Sequence, residues 1–282
     1  MFELRIFAKK NDLAFDLALY VFRGFDISES ELVFIEEENT KCWCFYSENK
    51  DEVEKIKKYF LDRCAEFLSV DVREISDEWK TNWKSSFVPF DLGKSFRVVP
   101  FGKKDNVLCG REEIIIDTDL VFGSGTHATT QLVAEFIETK KGLFEDFFDI
   151  GTGTGILAIA AVKCGAEKIW ALDISQDAVD TAKKNFAFNH CLCGELFCSD
   201  FSKFKKRKSF DFVASNLLTQ DLIKFQRKII NFIRPGKYLA VSGISDVNYK
   251  EFRDKFDNPL LKCLRVKESN GWYALLFKLR KK

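Results

Sequence analysis

The chain has 282 residues, 46% of them hydrophobic and 31% charged, which suits roughly two ordinary globular domains. Its 44 basic and 43 acidic residues leave a formal net charge of +1. That balance argues against a protein whose main task is gripping nucleic acid by its phosphates, although a local basic patch stays possible.

Residues 1–75 read as a small unit of their own. FELRIFA alternates as a strand, and NDLAFDLALYVFRG has apolar positions at helical spacing closed by Gly24. ELVFIEE and KCWCFYS form a hairpin pattern, residues 51–68 an amphipathic helix, and SVDVREI a final strand. The order β-α-β-β-α-β predicts a ferredoxin-like α+β domain. Residues 76–95, which carry Trp79 and Trp83 four positions apart, are expected to be a linker whose aromatics dock on one of the domains.

From 96 to 282 strand and helix patterns alternate, which predicts an α/β, doubly wound, Rossmann-like sheet. Ser175 and Asp177 mark one helix start. Only Asn270 and Gly271 separate the last two strand runs, too few for a parallel crossover, so the terminal strand is expected to run antiparallel.

Nine cysteines stand singly or as C-x-C pairs with no C-x-x-C, and the only histidines are His127 and His190. That pattern predicts no metal site and no disulfide framework, but reduced cysteines packing as small hydrophobes. No apolar leader and no run of about 18 apolar residues occurs, so a cytoplasmic chain with no membrane contact is expected.

The chemistry concentrates in a few places. In FFDIGTGTGIL, residues 147–157, a strand ends at Asp149, and Gly151, Gly153 and Gly155 then alternate before a helix begins. Such glycines let backbone approach a ligand closely, and a helix start offers free N–H groups. The G-x-G-x-G spacing differs from the G-x-G-x-x-G of dinucleotide binders. Asp173 closes the next strand, twenty-two residues after Gly151, where a carboxylate can accept both hydroxyls of a ribose. Asp200 ends the following strand-like run. Asp149 can either hold the glycine loop or face an amine. Asn216 closes FDFVASN and is followed by Leu217 and Leu218 rather than by prolines. Upstream, DLVFGSGTHATTQ, residues 119–131, sets Thr126, His127, Thr129 and Thr130 at an apparent helix start behind Gly123 and Gly125.

The glycine loop resembles the first motif of seven-stranded S-adenosylmethionine (AdoMet) dependent methyltransferases. Together with FGSGTHATT, Asp173 and Asn-Leu-Leu it resembles the ribosomal protein L-eleven methyltransferase family, PrmA-like, which carries F-G-T-G-T-H-P-T-T, D-x-G-C-G-S-G-I-L-A-I-A-A, I-D-I-D and A-N-I or A-N-L. The likeness extends through the DEWKTNW tryptophans, Ser242-Gly243-Ile244 and Trp272. Ser124, Ala128, Thr152 and Thr154 depart from the family pattern but leave the glycines intact. The resemblance implies a seven-stranded AdoMet-dependent methyltransferase domain preceded by a substrate-recognition domain at residues 1–75. It implies AdoMet contacts from Thr130, Gly151, Asp173 and Asn216, with Thr126, Asp149, Gly153, Gly155 and Asp200 joining the cofactor set. The implied reaction methylates lysine or N-terminal α-amino groups of a ribosomal protein, free or ribosome-bound. Asn216 would orient the amine, and His127 would shape the pocket or serve as base, its ordinary pKa being suitable. A monomer without sequence-specific nucleic-acid binding is expected. Competing readings are methylation of another protein, a small molecule or RNA, the last drawing on Lys203, Lys205, Lys206, Arg207 and Lys208, and a non-enzymatic AdoMet-binding module.

Overall fold

A computed structural model describes residues 2–8, 18, 21–22, 25, 27, 32–37, 40–47, 49–66, 68–74, 88–103, 110–117, 125–206 and 208–281. Gly24, the hairpin tip at 38–39, Trp79, Trp83, Cys109, residues 119–124 and Arg207 lie outside them. The chain forms two compact units, Met1–Phe87 and Val88–Lys282.

In the first unit β1 (Phe2–Ala8), β2 (Leu32–Glu37), β3 (Thr40–Ser47) and β4 (Leu68–Glu74) form an antiparallel sheet of order β2-β3-β1-β4. Helix α1 (Lys50–Cys64) starts at Asn49, whose side chain accepts from the N–H groups of Asp51 and Glu52. Its buried stripe of Val53, Ile56 and Phe60 packs with Leu4 and Ile6 of β1, alternate residues on one face, and with Phe22. Ala18, Val21 and Phe22 are helical and buried, at the place of the expected first helix. The strand order is that of a ferredoxin-like unit.

The second unit begins inside the expected linker. Strands β5 (Phe90–Leu92), β6 (Phe96–Pro100) and β7 (Glu112–Ile116) make a small sheet of their own, so residues 90–95 belong to the large unit. A strand of three residues is too short to show alternation, which is why the sequence pattern misses it.

The main sheet has the order β10-β9-β8-β11-β12-β14-β13. Its strands are β8 (Asp146–Ile150), β9 (Lys168–Asp173), β10 (Gly194–Cys198), β11 (Phe210–Asn216), β12 (Ile233–Ser245), β13 (Leu261–Ser269) and β14 (Trp272–Leu279). The first five in that order pair in parallel, and β14 runs antiparallel to both its neighbours. Asn270 and Gly271, at φ 51° and 75°, turn the β13–β14 hairpin in the left-handed region that a two-residue loop demands.

Strand alternation sorts the core into two layers. Phe147 and Phe212 face helices α2 (Ala128–Glu138), α3 (Ile156–Lys163) and α4 (Gln176–Phe188), which add Phe136, Ile159 and Phe186. Phe148 and Val213 face α5 (Thr219–Ile230) and α6 (Asp246–Lys255), which add Leu222, Ile229 and Phe252. Burial on both faces explains why these strands read as nearly unbroken apolar runs. At the amino ends of β8 and β11, Asp146 pairs with Lys208 at 3.1 Å and Arg234 at 2.6 Å, and Asp211 pairs with Arg234 at 2.9 Å.

Candidate active site

Chain order places the site. From β8 the chain crosses to β9 and β10 on one side, then returns to lay β11 against the other edge of β8. A crevice opens at the carboxyl ends of parallel strands where the order reverses, here between β8 and β11. Asp149 lies near the carboxyl end of β8, Asp173 ends β9 and Asn216 ends β11, so the parallel register brings all three to this edge.

Gly151, Gly153 and Gly155 take φ values of 79°, 53° and 81°, a region costly for residues with a Cβ. The loop is tied to β9. The N–H groups of Gly151 and Thr152 donate to the Leu172 carbonyl at 2.8 and 2.9 Å, and that of Gly153 donates to Asp173 Oδ2 at 2.9 Å. Asp173 Oδ1 accepts from the Ser175 N–H at 3.0 Å. Gly155 is the N-cap of α3 and has no side chain to cover its amides.

Asp149 is fully buried. Its Oδ2 accepts from the Thr152 hydroxyl at 2.8 Å, and its Oδ1 makes no well-formed hydrogen bond. Burial pushes its pKa up to about 7; the Thr152 hydroxyl and Ala158 N–H pull down, and nearby Asp173 pushes up. A buried, half-satisfied carboxylate beside a second carboxylate is a setting that favours a cationic ligand.

The other half of the site comes from the start of α2. Asn216 Nδ2 donates to Thr129 Oγ1 at 3.1 Å and Thr130 Oγ1 at 3.3 Å, both threonines being buried. His127 is the α2 N-cap: its Nδ1 accepts from the Thr129 N–H at 3.4 Å and lies 2.8 Å from Thr129 Oγ1. The ring meets Trp272 edge-on at 4.9 Å. Surrounding protein lowers the His127 pKa by desolvation, although the residue keeps an exposed side. The cap favours the same neutral form, because an accepting Nδ1 carries no proton and a helix N-terminus disfavours a cation.

Leu217 joins the halves. A Cβ on Gly151 would lie 2.5 Å from Leu217 Cδ2, and one on Gly243 would overlap the Leu217 backbone carbonyl. Asn185, fully buried in α4, bridges further: its Oδ1 accepts from the Asp117 N–H at 2.8 Å, and its Nδ2 donates to the carbonyls of Asp117 and Thr154, each at 2.9 Å. Gln131 donates to the Gly125 carbonyl at 2.8 Å and accepts from the Gly93 N–H at 2.9 Å.

Sequence reasoning named neither Asn185 nor Gln131, and their only signal is an amide at an inward helical position. The other candidates separate cleanly. Asp149, Gly151, Gly153, Gly155 and Asp173 form one group, and His127, Thr130 and Asn216 another. Thr126 is exposed just ahead of α2. Asp200 lies past β10 and is linked to neither group; its carboxylate accepts from the Ser202 N–H at 2.7 Å, closing its own turn and holding its pKa low. Among the described residues no cluster of three or more His, Cys, Asp or Glu could hold a metal, and no helix is long and apolar enough to cross a membrane.

Comparison with known proteins gives the chain a family. The family model described as Ribosomal protein L11 methyltransferase (PrmA) matches residues 23–280. A ribosomal protein L11 methyltransferase of Thermoanaerobacter sp. (strain X514) is 30% identical over 265 residues, 90% of this chain and 84% of that protein. One from Geobacter metallireducens is 33% identical over 201 residues, 71% of this chain and 66% of that protein. The crystal structure of a ribosomal protein L11 methylase from Lactobacillus delbrueckii subsp. bulgaricus shares the fold, with a TM-score of 0.62 and 24% identity over 69% of this chain and 100% of that one. The chain is therefore a methyltransferase and belongs to the ribosomal protein L11 methyltransferase (PrmA) family.

Proposed function

We propose that the protein transfers methyl groups from AdoMet to lysine side-chain or N-terminal α-amino groups of the large-subunit ribosomal protein L11, acting as a cytoplasmic monomer. The observation that carries this reading is the junction of Asn216 with Thr129 and Thr130 beside the glycine loop, because it unites the segments the family shares.

AdoMet supplies an electrophilic methyl on a cationic sulfonium. The residues present suit such a ligand. Asp149 has a buried oxygen without a well-formed hydrogen bond, and Asp173, though it accepts two backbone N–H groups, keeps lone pairs for ribose hydroxyls. Gly151, Gly153 and Gly155 leave the backbone bare where the ligand passes, and Asp200 stands by for the adenine amino group. Thr126 and Thr130 flank the methionine end.

The acceptor must be a neutral amine. A lysine of pKa about 10.4 is neutral in about one molecule in 2,500 at pH 7, a penalty of about 4.6 kcal/mol. Desolvation beside a cation lowers that pKa, so the site's task is to dry, orient and accept hydrogen bonds from the amine. Asn216 does this through its side-chain carbonyl, since its amide is already donated to the threonines. His127 caps its helix and shapes the pocket wall with Trp272. Residues 1–75 recognise the substrate.

Incubating the protein with methyl-labelled AdoMet and a cell lysate, then identifying the labelled band, tests the reading. A labelled L11 band supports it; labelled RNA, or binding of AdoMet without transfer, rejects it.

A further inference from the structure

The basic segment KFKKRK, residues 203–208, puts five cations into six positions of a chain whose net charge is +1. Its residues Phe204, Lys205, Lys206 and Lys208, with Lys228 near the end of α5 and Phe232 beyond it, line an open groove of about 740 Å³. The groove sits at the amino end of β11, whereas the candidate active site sits at its carboxyl end. Seven residues of strand separate the two, about 20 Å.

Some of the charge is already used. Lys208 pairs with Asp146 at 3.1 Å, and Lys206 lies 4.0 Å from Glu195 and 4.1 Å from the Phe197 ring centroid. Lys203 and Lys205 are exposed, and Lys203, Lys224 and Lys228 share the field of one carboxylate, that of Asp200. Lys228 is partly buried over the Phe201 ring at 4.9 Å and donates to the carbonyls of Phe201 and Ser202, with no carboxylate in ion-pair range among the described residues. That uses two of the three donors of its ammonium. Lys224 stands one turn earlier on the same helical face. Burial lowers the Lys228 pKa, so an incoming anion would restore what desolvation takes away.

We propose that this groove holds the sugar–phosphate backbone of an RNA strand, at a site separate from methyl transfer. Closely spaced cations that outnumber the carboxylates near them match a polymer that carries one charge per unit. A concave wall suits a strand better than a flat bilayer. Phe204 and Phe232 are buried, so they form the floor and cannot wedge into lipid or stack on bases. Binding is therefore electrostatic and free of base preference.

Fluorescence anisotropy of a labelled oligouridine of about 20 nucleotides, titrated with the full chain from about 50 to about 200 mM salt, tests the proposal. Log Kd should rise against log salt with a slope of about 2 to 3, since each neutralised phosphate on a single strand contributes about 0.7. The double variant Lys205→Glu, Lys206→Glu should bind at least about tenfold more weakly, with the slope reduced by about 1.4. Its AdoMet affinity should not change. Because Lys206 pairs with Glu195, charge reversal there can destabilise the chain, so the double variant Lys205→Gln, Lys206→Gln should show the same loss of slope. The proposal is overturned by absent binding at low salt or by a wild-type slope in the variants. Displacement by polyglutamate at matched charge as readily as by RNA, or tighter binding to phosphatidylglycerol vesicles than to RNA, overturns it as well.

Discussion

Asp173 accepts the Gly153 N–H at 2.9 Å, so the carboxylate proposed for the ribose also holds the glycine loop in its open shape. Both of its oxygens are engaged by backbone, the second by Ser175. Asp173→Asn turns one acceptor into a donor facing an N–H. Hydrogen bonds to charged groups contribute about 1.5–3 kcal/mol, so AdoMet should bind about 10- to 100-fold more weakly. Calorimetric titration reads this directly, and turnover at saturating AdoMet should fall much less.

Asp149 makes AdoMet binding depend on pH. Its pKa rises from an ordinary 3.8 to about 7, so its share of stability is complete below 3.8 and is lost as pH rises through 7. A cationic ligand restores the ionised form, so AdoMet affinity should increase between about pH 6 and 8, with release of about half a proton at pH 7. Titrations in buffers of different ionisation enthalpy count that proton. Asp149→Asn should abolish both the release and the pH dependence.

His127 serves as a cap that works only when neutral. Its pKa is depressed by desolvation, so its contribution to stability is full above the ordinary value of 6.5 and is lost as pH falls through the folded value. His127→Ala should cost about 1 kcal/mol, while His127→Asn, a good N-cap, should restore most of it. Turnover of both variants at neutral to alkaline pH should stay near wild type. A steep loss of turnover in His127→Asn would instead make the imidazole a base.

Asn185 ties Asp117 to Thr154, and its removal should loosen both halves of the site. Asn185→Leu keeps the volume but strands an N–H and two carbonyls in a buried setting. At about 1–3 kcal/mol for a buried group left unpaired, the melting midpoint should drop by about 5–10 °C. AdoMet affinity should fall with it. An unchanged midpoint would mean that these bonds are dispensable.

What the sequence disclosed follows from how far each constraint reaches along the chain. Gly151, Gly153 and Gly155 answer a backbone demand at their own positions, so the loop was legible as a motif. The same holds for the Asn270-Gly271 turn and the Ser175 cap. Strands buried on both faces announced the parallel sheet. Asn185 was not legible, because its partner Asp117 lies 68 residues away and an amide inside a helix shows nothing of what it meets. The junction of Asn216 with Thr130 spans 86 residues, and only the family resemblance linked the two segments beforehand. Strand β5 was lost to its shortness. Asp200 matched by position, yet its carboxylate closes its own turn.

Intact-mass analysis of purified L11, incubated with AdoMet and this protein, tests the central claim most directly. The account predicts whole-methyl mass increments on L11, located at lysine or N-terminal amines, that vanish with Asn216→Ala although that variant still binds AdoMet. Unmodified L11 after incubation with a chain that demonstrably binds AdoMet would contradict it.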